Sequence, residues 1–153
     1  VRETVARTAF WAGFAQRIAE RPEWSLGQFK HQHSNQGYIE FAERLGLGFR
    51  PRAVCLMNGN ELRAEILTGK NRRGLALLDD LVAVGPLLQT TNGAVAKASV
   101  SDLRSDGKVE IVWREAMVGN RRLWSVHYDW IGESLLDLRA TLAPMIDREM
   151  ATP

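Results

Sequence analysis

The chain has 153 residues, 45% of them hydrophobic and 25% charged, with a formal charge of +2 and a pI near 9.0. That is enough for one domain to bury a core without disulfides or metal, and too weak a charge to announce nucleic acid by composition alone. The lone Cys55 excludes an internal disulfide, and no run approaches a membrane span or a basic-then-apolar leader, so the expectation is a cytoplasmic domain with no membrane partner.

Residues 2 to 20 predict a first helix. Phe10, Phe14 and Ile18 recur on one face with Val5 and Trp11 beside them, and Arg21-Pro22 stops it because proline disfavours helix in the preceding residue. Residues 23 to 37, with Gly27, His31, His33 and Asn35-Gln36-Gly37, read as a polar loop with room for a short strand. Tyr38 to Leu45 alternates like a half-buried strand, Ile39, Phe41 and Leu45 opposing Glu40 and Arg44, until Gly46, Gly48 and Pro51 break it.

The strongest local signal follows. Ala53 to Met57 and Glu61 to Leu67 flank Asn58-Gly59, and both turn residues tolerate the positive φ of a tight hairpin. Leu62, Ala64 and Ile66 alternate with Glu61, Arg63 and Glu65, so the first set should face the helices. A second helix from about 71 to 89 carries Leu75, Leu78, Leu81 and Val82 inward, with Gly85-Pro86 placed to kink or end it. A second hairpin joins Val95–Leu103 to Lys108–Glu115 through Ser105-Asp106-Gly107, with Val109, Ile111 and Trp113 inside.

Asn120 caps a last helix whose stripe, Trp124, Tyr128, Ile131, Leu135, Leu138 and Leu142, must lie against apolar surface; Gly132 weakens this helix and Pro144 ends or bends it. The expected fold is therefore α+β, a mostly antiparallel sheet of about five strands packed with three helices in the order α-βββ-α-ββ-α, one domain over residues 1–153. The chain begins at Val1 with the helical pattern already under way, which suggests a domain cut from a longer protein or a processed one.

No phosphate loop, zinc framework or nucleophile elbow is present, so no catalytic residue, metal ligand or cofactor is assigned. His31 and His33 stand two apart, which on a strand would turn both imidazoles to one side, with His127 as a distant third. A His-x-His pair is a weak metal cue, and a solvated loop is the simpler account. Cys55 in an apolar run reads as a small core residue, and His127 as a partly buried helix residue bonded to backbone or carboxylate. Glu61, Glu65, Asp102, Glu110 and Glu115 invite comparison with a nuclease site, yet none begins a Glu-x-Lys.

The best ligand candidate is Lys70, Arg72 and Arg73 at the start of the second helix, where unpaired N–H groups and the helix dipole favour phosphate. Arg121 and Arg122 at the last helix would extend the patch if they share that edge, and Trp24 or Tyr38 would supply a stacking surface.

Phe10-Trp11, the hairpin into Glu61-Leu62-Arg63-Ala64-Glu65-Ile66, Leu77-Leu78-Asp79-Asp80-Leu81, and Trp124 with Asp129-Trp130-Ile131 resemble, in order, a family of bacterial domains of unknown function. In that family the domain commonly follows a restriction-endonuclease-like domain at the C-terminal end of a larger protein. The resemblance spans about residues 10 to 148; residues 24 to 37 depart from it. It implies an accessory role in nucleic-acid processing or defence, with nucleic acid, a nuclease domain or a second copy as partner. Two rival readings stay open: a protein-interaction or dimerisation domain using aromatics such as Trp24 or Trp130, and a small enzyme or metal site using His31, His33 or Cys55.

Overall fold

The computed structural model describes residues 2–30, 36–86 and 94–153. Helix α1 (Arg2–Ala19) is followed by strands β1 (Tyr38–Glu40), β2 (Arg50–Leu56) and β3 (Glu61–Thr68), helix α2 (Arg72–Val84), strands β4 (Lys97–Val100) and β5 (Gly107–Trp113), and helix α3 (Trp124–Ala151). Single 3₁₀ turns, Pro22–Trp24 and Arg121–Leu123, lead out of α1 and into α3. All five strands form one antiparallel sheet in the order β1-β2-β3-β5-β4. The α+β class and the order α-βββ-α-ββ-α are as the hydrophobic periods require.

Alternation divides the sheet into two faces. Inward, Ile39, Ala53, Cys55, Leu62, Ala64, Ile66, Val109 and Ile111 are buried, and α2 and α3 lie over them. The α3 stripe behaves as its spacing demands: Tyr128, Ile131, Leu135, Leu138 and Leu142 are buried, and Ile146 extends the row. Trp124 is half-buried, its indole N–H donating to Val118 O at 2.7 Å. On α1, Phe10, Trp11 and Phe14 are buried against α3, where the Tyr128 hydroxyl donates to Phe10 O at 2.8 Å and Arg17 grips Asp129 with two 2.9 Å bonds.

Several local expectations are corrected by tertiary context. The β1 pattern predicted to Leu45 stops at Glu40, with Phe41 continuing only as an isolated bridge to Phe29. Strand β2, expected to begin at Ala53, already begins at Arg50 and includes Pro51. Phe41 N–H donates to Pro51 O, so the donor that Pro51 lacks points to the end of β1 and not into the β2–β3 ladder, where it costs little.

The hairpin expected at Asn58-Gly59 forms, but as a four-residue loop in which Asn60, at φ 50°, takes the left-handed conformation. Helix α2 ends at Val84 with Gly85 at φ 90°, and Val82 is 49% exposed instead of inward. Pro144 lies inside α3 and does not end it. Gly132 has a packing reason: a Cβ there would sit 2.6 Å from the Trp24 ring. Trp24 and Trp130, offered above as exposed partner surfaces, are 2% and 8% exposed.

Candidate functional site

Helix α2 starts where the sequence places it. Asn71 is the N-cap, and its side-chain oxygen accepts from Gly74 N–H at 2.8 Å, which satisfies one of the orphan donors of the first turn. The absence of a side chain at Gly74 lets the 42–49 loop approach, since a Cβ would lie 2.6 Å from Leu47 O. Lys70, Arg72 and Arg73 are all exposed around this start.

The three cations are not equivalent. Arg73 donates to Glu149 O and, at 3.1 Å, to Thr152 O, so it caps the last carbonyls of α3. Lys70 and Arg72 have no carboxylate partner among the described residues. Most cations elsewhere do: Arg52 with Glu65 at 2.8 Å, Arg63 with Glu61 at 2.5 Å, Arg104 with Asp79 at 2.9 Å, Arg139 with Glu43 at 3.1 Å.

The fold recruits two cations that sequence spacing did not suggest. Gly46 abuts Met150 and Ile146, and Gly48 abuts Thr68 and Asn71, so the 42–49 loop, the α2 start and the α3 end form one pole of the molecule. Exposed Arg44 and Arg148 stand on that pole with Lys70, Arg72 and Arg73, against Asp147 and Glu149. Arg121 and Arg122 do not join them. They lie at the opposite end of the 28-residue α3, about 42 Å away at 1.5 Å per residue, with the Arg121 guanidinium 4.8 Å from the Trp124 ring centroid. Of the proposed stacking residues, Trp24 is buried, and Tyr38 is 41% exposed with Arg52 over its ring.

The outer sheet face departs from the plain solvated alternation. Glu65 is fully buried there, held by Arg52 and, at 3.0 Å, by Lys108, which also reaches Glu110 at 3.1 Å. Register explains the cluster, because Glu65 lies directly between Arg52 and Glu110 on its neighbouring strands. Burial alone would lower the Lys108 pKa; the two carboxylates outweigh it and raise it. Two of the acids weighed for a nuclease-like site are thus adjacent but already neutralised by fixed cations. Among the described residues no group of three His, Cys, Asp or Glu side chains could hold a metal ion.

Burial pushes the Cys55 thiol up to about 12, which leaves it protonated and inert. His127 is fully buried, with Nε2 2.5 Å from Ala116 O; a carbonyl only accepts, so Nε2 carries the proton. Its Nδ1 has no partner among the described residues. Burial lowers the His127 pKa despite that bond. The His31–His33 pair lies outside the described residues. No described helix is long and apolar enough to cross a membrane. No family model matches the chain, and no curated protein or solved structure is significantly similar to it.

Proposed function

We propose that this domain is a non-catalytic accessory module that contacts nucleic-acid phosphates through the pole built from the α2 start, the 42–49 loop and the α3 end. The observation that carries the reading is that Lys70 and Arg72, beside a helix N-terminus, have no carboxylate partner among the described residues, whereas Arg52, Arg63, Arg104 and Arg139 each do. Arg44 and Arg148 add charge to the same pole, and Arg73 joins it while tying down α3. The family resemblance supplies the context, a partner of nucleic-acid-processing or defence enzymes, by association and not by chemistry.

Binding of mixed-sequence DNA, followed by anisotropy at low salt, tests this. Replacing Lys70 and Arg72 with alanine should weaken binding almost equally for every sequence and reduce the slope of log K against log salt by up to about 1.8, from about 0.9 per lost contact. Arg73 stays in place, since its loss would loosen α3 as well as remove charge. If Arg121 and Arg122 touch the same duplex, about 40 Å must be spanned, so duplexes shorter than about 12 base pairs should show the smaller slope. No binding of any duplex or single strand below about 0.1 mM defeats the proposal.

A further inference from the structure

Away from the basic pole, an open cleft of about 590 Å³ runs between the first turns of α3 and the end of β5. Val112 and Trp113 line it from the strand, and Val126, Asp129, Trp130 and Glu133 from the helix. The helix residues stand at i, i+3, i+4 and i+7, so they form one face about 10 Å long. That length accommodates about three residues of extended chain. The cleft is open and not enclosed, which suits a strip of polypeptide lying on its surface better than a small molecule that a pocket must enclose.

The lining states the chemistry of the occupant. Trp113 and Trp130, rings 5.5 Å apart, make an apolar floor, and Val126 is 52% exposed on one wall. Among the described residues, both ionisable groups at the cleft are carboxylates, on a chain of net positive charge. Asp129 is occupied by the two bonds from Arg17, whereas exposed Glu133 has no cationic partner among the described residues.

We propose that this cleft docks a short segment of a partner protein in which an apolar side chain lies next to a lysine or arginine. The apolar group covers Val126 and the half-buried Trp113 indole, with buried Trp130 beneath it, and the cation pairs with Glu133, its approach favoured by the Trp113 face. This does not depend on the nucleic-acid reading, because no residue of the basic pole lines the cleft.

A random heptapeptide display library selected on the intact domain provides the test. Enriched peptides should carry an apolar residue beside Lys or Arg, and a labelled copy should bind Glu133→Lys about tenfold or more weaker than wild type. Val126→Asp should also abolish binding while both variants keep the wild-type melting curve, since both positions are exposed. Should Val126→Asp unfold the domain, Glu133→Lys alone carries the comparison. Failure of any peptide to enrich, enrichment of acidic peptides, or equal binding to Glu133→Lys overturns the proposal. A concentration-dependent mass of the domain alone, lost in Val126→Asp, also overturns it in favour of a second copy.

Discussion

Replacing Gly132 with alanine sets helix propensity against packing, and the structure decides which wins. On an isolated helix the change should stabilise by about 1 kcal/mol. Here the added Cβ would meet three atoms of the Trp24 ring at 2.6, 2.6 and 2.8 Å. Carbon atoms prefer about 3.5–4.0 Å, so the ring must retreat by roughly 1 Å. It has little freedom to do so: Trp24 is 2% exposed, its carbonyl accepts from Arg139 at 3.1 Å, and Arg21 lies 5.0 Å over its ring. Overpacking of this kind costs about 1–3 kcal/mol, and complete ejection of the ring would cost about 3–5.

Taking the upper part of the overpacking range less the propensity gain leaves a net loss of about 1–2 kcal/mol. For a chain this long that is a melting point lower by about 2–8 °C. Thermal unfolding of Gly132→Ala measures it, with Gly69→Ala as the control, because a Cβ at Gly69 meets nothing within 4 Å. In a Trp24→Leu background the same Gly132→Ala change should stop being harmful, giving a coupling on the order of 2 kcal/mol. A variant that melts at or above wild type, or a cycle with no coupling, refutes the account.

Trp11→Ala should cost about 3–5 kcal/mol in urea unfolding, and Trp124→Ala about 3 or slightly less, because Trp11 is 2% exposed and Trp124 half-buried. A larger loss for Trp124 would show that the α3 entrance, and not the α1 contact, is the tighter part of the core. The His127 pKa is lowered in the folded chain, so the unfolded chain binds the proton more readily as pH falls. Stability should therefore be complete above about pH 6.5 and decline as the pH drops from there toward the lowered folded value. Urea midpoints across that window should show the decline in wild type and a flatter profile in His127→Gln; identical profiles would remove His127 as the cause.

Most of the architecture was legible because it rests on periods. The α3 stripe and the Leu62-Ala64-Ile66 alternation each name a face, and both faces are buried as read. What escaped were effects of neighbours distant in sequence. Glu65 looked solvated because alternation says which side a residue takes, not that Arg52 and Lys108 from adjoining strands will roof it over. The start of β2 at Arg50 was missed because the direction of the donor that Pro51 lacks depends on where β1 stops. At the candidate site, the start of α2 near residue 71 and the cations after Gly69 were readable locally. The contribution of Arg44 and Arg148, and the engagement of Arg73 with the last turn of α3, join segments far apart in the chain, and no spacing in the sequence signals them.

The bond from Tyr128 to the Phe10 carbonyl has a meaning for biosynthesis. Helix α1 is completed by α3, whose Tyr128 lies 118 positions after Phe10 in the chain. At roughly 5–20 residues per second, the apolar face of Phe10, Trp11 and Phe14 emerges on the order of ten seconds before its partner exists. Nascent chains stalled before residue 124 should hence offer that face to chaperones, and release should coincide with emergence of Trp124–Ile131.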